Sequence, residues 1–326
     1  VDTGTHVVMG IALGGLAALD PAVSSDPATA QAVMIGAIAG SQAPDLDTVL
    51  KFRNNAKYIR NHRGITHSIP AVILWSILIT ALLYWIIPGA DLLHLGIWTT
   101  IAVVLHVFVD IFNAYGTQAL RPFSQKWVAL GMINTFDTFL FVIHVIGIVA
   151  WVFGAPSGYT FLTVFIVAFG YYILRYLMKR RIIRKVHEKY HDVEKIIISP
   201  TMKFRKWRVA IITKNHYYVG LSFNDELTIL DEYDRVPVPQ TKIIQAAEQD
   251  ENISAFLSFS PVYRWEIDEY SDHYEVKFID LRYRSKGHYP FVAIVQLDQD
   301  LNIVSSYTGW IFSDEKLRKK LDLMPE

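Results

Sequence analysis

Imidazoles and carboxylates recur through the first 140 residues in patterns that suit metal ligation. In "LHVFVDIFNAYGT" (residues 105–117) His106 and Asp110 are four apart, so on an α-helix they project from one face a turn apart, with Asn113 nearby. A pair so placed can address a common cation, or the carboxylate can orient the imidazole. "SQAPDLDTV" (41–49) supplies Asp45 and Asp47 after a proline that marks a helix end; in extended backbone both point the same way and can share one or two cations. "NHRGITHS" (61–68) offers His62 and His67 around Gly64, which permits a sharp bend, and Thr66 or Ser68 can cap the apolar run that follows. "DTGTHVVMG" (2–10) adds His6 behind a capping Asp2, and Asp137 opens a later apolar run. Each has an ordinary structural explanation when taken singly: a buried His–Asp pair, a solvated turn or an N-cap.

The chain has no cysteine, which excludes disulfides and thiolate ligands. Neutral imidazoles with carboxylates suit zinc first, with manganese or ferrous iron as alternatives, and the donors outnumber the three or four that one catalytic zinc takes. Two or three divalent ions are therefore expected. Such a cluster acidifies water and stabilises charge on a phosphoryl group. Asp45 or Asp47 is a candidate base, and Arg60 and Arg63 are candidates to hold a phosphate, although both arginines also serve as ordinary basic anchors. His94 and His144 read as structural.

These residues need elements to position them. The 326-residue chain is 52% hydrophobic and only 19% charged, with mean hydropathy +0.25, more apolar than an ordinary soluble enzyme. Apolar runs at about 69–87, 93–113, 136–153 and 159–178 are long enough to span a bilayer. Shorter Gly/Ala-rich runs at 6–19 and 31–43 suit short spans packed through small residues, with buried non-spanning helices as the alternative. Basic residues follow the second, fourth and sixth runs and avoid the other connections. That alternation predicts six spans with the N-terminus and the C-terminal half in the cytoplasm. No cleavable signal sequence is expected, because the opening residues lack a basic n-region. Zero formal net charge gives no reason to expect nucleic acid as a partner.

The fold class expected is a membrane α-helical bundle over residues 1–180 with a C-terminal cytoplasmic α+β domain over 186–326. Seven β-branched and aromatic runs, from "WRVAIIT" to "NIVSSYTGW", predict a largely antiparallel sheet. "PQTKIIQAAEQ" and "DEKLRKKLDL" predict helices, and His187 and His191 fit a solvated extension of the last span.

The ordered series "DTGTHVVMG", "PDLD", "HRGITHS", "LHVFVDIFNAYGT" and "DT" (137–138) resembles the successive motifs of the YdjM/YfhP-like family of bacterial inner-membrane, metal-dependent hydrolases. The resemblance covers about the first 180 residues, and the remainder resembles the extension of the YfhP-like branch. The motif order is also distantly similar to zinc-dependent phospholipase C. The resemblance implies ligand roles for His6, Asp45, His67, His106 and Asp110, with Asp47, His62 and Asp137 as further candidates. It implies a multi-pass protein of the bacterial cytoplasmic membrane that uses metal-activated water on a phosphoester, such as a phospholipid or lipid phosphate. A non-enzymatic metal or ion carrier, and a membrane protein merely stiffened by metal, remain the alternatives.

Overall fold

The computed structural model describes residues 1–52 and 63–322, which fall into two units. Of these, the first comprises Val1–Asp47, residues 63–181 and Ser199–Phe204; the second comprises the rest.

The first unit is helical: α1 (Thr3–Leu16), α2 (Pro21–Ser24), α3 (Pro27–Gly40), α4 (Ile69–Ile86), α5 (Leu92–Asp110), α6 (Thr138–Val152) and the start of α7 (Ser157–Lys189). Their starts are written in side chains that accept from freed backbone amides: Asp2 caps α1, Asp26 caps α3, Ser68 caps α4, Asp91 caps α5 and Asp137 caps α6. Among the described residues, three helices are long and apolar enough to cross a membrane: α4, α5 and α7. The helices α1, α3 and α6 have 14, 14 and 15 residues. At 1.5 Å per residue they reach about 21–23 Å, short of a hydrocarbon core of about 30 Å.

Glycines a turn apart bring the first helices together. A Cβ on Gly10 would lie 3.0 Å from Ala37 O and Ile38 Cα, and one on Gly14 would lie 3.0 Å from Met34 Cα, so α1 packs backbone to backbone on α3. Gly36 and Gly40 repeat the device on α3. Added Cβ atoms there would lie 2.5 Å from Thr99 Oγ1 and 3.0 Å from Ala102 Cβ of α5. Small residues at this spacing permit the close approach that helix association in lipid requires. His6 of α1, the segment leaving α3 and the last turn of α5 are thereby gathered at one end of the bundle.

The second unit carries two four-stranded antiparallel sheets, one in the order β1 (Val193–Pro200), β2 (Lys206–Thr213), β3 (His216–Phe223), β4 (Glu226–Asp234) and the other β5 (Tyr263–Glu269), β6 (His273–Asp280), β7 (Phe291–Asp298), β8 (Ile303–Trp310). The seven expected strands form, and β1 is an eighth. The single expected sheet is two, each a meander of hairpins. The helices α8 (Lys242–Ala247) and α9 (Glu251–Phe259) join them, and α10 (Asp314–Asp322) follows β8. Phe256 of α9 is fully buried and stacks on Phe291 of β7 at 5.5 Å. The buried pair Asp280–Arg282, with Nη2 2.6 Å from Oδ2, closes the turn after β6.

Candidate metal centre

His106 and Asp110 leave the last turn of α5 on one face, both buried, as the four-residue spacing requires. Asp45 enters from the 3-10 helix Ala43–Phe52 that follows α3, and His67 from the short 3-10 turn Ile65–His67 just before α4. One donor atom from each of these four residues lies within 4.8 Å of the other three. His67 Nε2 is 3.3 Å from His106 Nε2 and 3.6 Å from Asp45 Oδ1. His106 Nε2 is 3.6 Å from Asp45 Oδ1, and Asp110 Oδ2 is 3.5 Å from His67 Nε2 and 3.9 Å from His106 Nε2.

Hydrogen bonds on the far side of each ring fix what these atoms can do. His106 Nδ1 lies 2.6 Å from Ser41 O, and a carbonyl only accepts, so the proton sits on Nδ1 and the Nε2 lone pair faces inward. Thr66 Oγ1 donates to Asp47 Oδ2 at 2.8 Å, which leaves its oxygen to accept from His67 Nδ1 at 3.1 Å. His67 therefore also turns a bare Nε2 inward. Two imidazole lone pairs facing each other with no proton between them repel unless a cation joins them. Asp45 Oδ1, buried beside them, has no hydrogen-bond partner among the described residues. A tetrahedral ion with bonds of about 2.0–2.1 Å has donor–donor edges of about 3.3–3.4 Å, close to the separations found. The four donors fit a divalent ion.

The other sequence candidates fall around this cage. His6 stacks on His106 with ring centroids 3.7 Å apart, and its buried Nε2 is 3.4 Å from Asp110 Oδ1. The Val1 amino group also contacts Asp110 Oδ1. Asp47 does not point with Asp45. Their segment is 3-10 helical rather than extended, so residues two apart diverge, and Asp47 Oδ2 accepts from Arg63 N at 3.1 Å and from Thr66. Arg63 Nε lies 3.1 Å from Asp110 Oδ2 and its Nη2 donates to Val1 O, so its charge is directed at a carboxylate of the cage. The chain bends at Gly64, as expected, and Arg63 before it shares the bend at φ 61°. Asp137 stands apart from the four: it caps α6 and accepts from Tyr171 Oη at 2.9 Å, so its oxygens are engaged in holding α6 to α7. His62, with Arg60, lies outside the described residues. Asn113 shapes the turn after α5 by accepting from Tyr115 N and Gly116 N. His144 Nδ1 bonds Leu140 O within its own helix, and His94 bonds Asp91.

Sequence reasoning passed over Ser41 and the role of Thr66. Thr66 carries a signal, a hydroxyl beside a candidate ligand histidine; a backbone carbonyl such as that of Ser41 carries none.

Apolar helices that gather buried imidazoles and carboxylates at one end define a membrane protein with a cluster of metal-type donors. The chain belongs to the YdjM inner membrane protein family, whose model matches residues 1–182. The YfhP middle domain matches residues 191–233 and the YfhP C-terminal alpha/beta plait domain residues 242–321. Over 324 residues the chain is 67% identical to the "Uncharacterized protein YfhP" of Bacillus subtilis (strain 168), with 99% of each chain covered. No solved structure matches.

Proposed function

We propose that this chain is a membrane-embedded metal-dependent hydrolase of a phosphoester carried by a lipid, with six spans and its C-terminal half in the cytoplasm. The observation that carries the reading is the inward-facing Nε2 pair of His67 and His106, 3.3 Å apart, with Asp45 and Asp110 completing the cage. A divalent ion held by these four residues supplies Lewis-acid stabilisation to a phosphoryl group and acidifies a water. Zinc suits the donor set best. The protein's own contribution is positioning. Ser41 O and the Thr66–Asp47 pair fix the imidazole tautomers, and Arg63 places a cation beside Asp110, where it can balance an approaching phosphate. Asp110 offers its second oxygen towards His6, so a second ion between these two residues is part of the reading. The short helices α1, α3 and α6 cross through a bilayer thinned at the bundle, as mismatch permits.

One observation favours a second reading. Four protein donors fill a tetrahedral ion, and closed four-ligand sites are structural rather than catalytic. In that case the metal fixes the helix ends and no hydrolysis follows. The experiment that separates the two is incubation of zinc-loaded protein with a panel of phospholipids and lipid phosphates, alongside thermal unfolding with and without chelator. Product formation abolished by His106→Ala supports the hydrolase. A large loss of stability on chelation, with no turnover on any lipid, supports the structural site.

A further inference from the structure

The connection between α5 and α6 carries an exposed apolar tip. Phe123 is 86% exposed and Leu120 is 50% exposed. Disorder does not account for this, because the loop is tied by its own hydrogen bonds. Arg121 N donates to Gln118 O at 3.1 Å, Ser124 N to Leu120 O at 3.0 Å, and Gln118 Nε2 to Gln125 O at 2.7 Å. An ordered loop that presents a phenylalanine outward is built to meet something apolar.

Its position says what. Ile69 N, at the first residue of α4, donates to Arg121 O at 3.2 Å. The helix α4 has mean hydropathy 2.2 and only 11% of its residues are buried, so its perimeter faces lipid. The loop is thus pinned level with the end of a lipid-facing helix, where hydrocarbon gives way to headgroups and aromatic side chains concentrate. Residues 114–136 contain Arg121 and Lys126 and no acidic residue. Arg121 Nε is buried without a hydrogen-bond partner among the described residues. A local excess of cations at headgroup depth attracts acidic lipid.

We infer that residues 118–126 form an interfacial lip which sinks Phe123 and Leu120 into the leaflet and binds the phosphate of an acidic phospholipid through Arg121 and Lys126. The lip adjoins the cage: Gln118 N donates to Arg63 O at 2.9 Å, and Arg63 contacts Asp110. The inference rests on residence in the membrane and holds whether or not the cage hydrolyses anything.

The absence of cysteine permits clean labelling. Phe123→Cys and, separately, Leu120→Cys are labelled with an environment-sensitive fluorophore in the full chain, reconstituted in nanodiscs of phosphatidylcholine with phosphatidylglycerol. Asp272→Cys, on an exposed turn of the second unit, serves as the aqueous control. Both lip probes are expected to be quenched by lipids carrying a shallow nitroxide and to be several-fold less accessible to iodide than the control. Arg121→Glu combined with Lys126→Glu is expected to abolish the enrichment of phosphatidylglycerol among lipids that co-purify with the protein. Iodide access equal to the control at both lip positions overturns the proposal, as does undiminished phosphatidylglycerol enrichment in the charge-reversed variant. Metal content measured on the same samples reports on the cage separately.

Discussion

His67 and His106 turn unprotonated Nε2 atoms towards each other across 3.3 Å, each ring held in that tautomer by a bond from its opposite nitrogen. Cobalt substituted into the protein should therefore show the intense visible bands of a four-coordinate nitrogen and oxygen site. His67→Ala and His106→Ala should each abolish them. Bands that persist unchanged in either variant would mean that the two rings do not share an ion.

The path Asp47–Thr66–His67 predicts a graded effect on affinity. Thr66→Val removes the acceptor for His67 Nδ1 and should weaken metal binding about 10–100-fold, the usual cost of losing an outer partner of a ligating histidine. Thr66→Ser keeps the hydroxyl and should bind nearly as the parent does. Competition against a chromogenic chelator measures both, and equal affinities for all three proteins would remove the relay.

Close packing at Gly10 predicts a cost in stability. A side chain there meets the α3 backbone at Ala37 and Ile38, which cannot yield as a flexible side-chain end would. Gly10→Val should destabilise the helical unit by about 1–3 kcal/mol, the range for overpacking, and should lower metal content because His6 rides on α1 and Asp45 on the segment that leaves α3. Thermal unfolding in detergent, followed with metal analysis, tests this.

The second unit predicts a dependence on acid. Asp231 is partly buried, which alone raises its carboxyl, but bonds from Arg284 and Tyr289 outweigh burial and hold it below the usual range. A carboxyl lowered on folding adds stability that is complete above its unfolded value, about 3.9, and disappears as pH falls through the folded value. Asp231→Asn should cost about 1 kcal/mol or less at neutral pH, since the pair is partly solvated. The difference from the parent should close below about pH 4. Urea titrations at both pH values measure it, and a gap that widens in acid would contradict the assignment.

What the sequence disclosed depended on whether a local rule governed the residue. His106 and Asp110 were legible because helical spacing alone sets their common face. Gly10, Gly14, Gly36 and Gly40 were legible as small-residue packing because α1 and α3 are rich in them. Asp45 and Asp47 were paired in error: alternation assumes extended backbone, and the 3-10 helix that begins at Ala43 sends them to different partners. Ser41 was invisible because its contribution is a carbonyl, which every residue has. Strand β1 was missed because "VEKIIISP" leaves a charged helix end with no clean alternation before its apolar run. The helices α1 and α3 are as short as the Gly/Ala-rich runs at 6–19 and 31–43 implied, whereas α6 is shorter than its run at 136–153 because Asp137 caps it at Thr138.

Metal analysis of the purified full chain, beside the double variant His106→Ala with Asp110→Ala, tests the central claim most directly. At least one equivalent of tightly held transition metal per parent chain, lost from the variant while the protein remains folded, is the predicted result. Parent protein that stays metal-free after growth in zinc-replete medium, or a variant with undiminished metal, would contradict it.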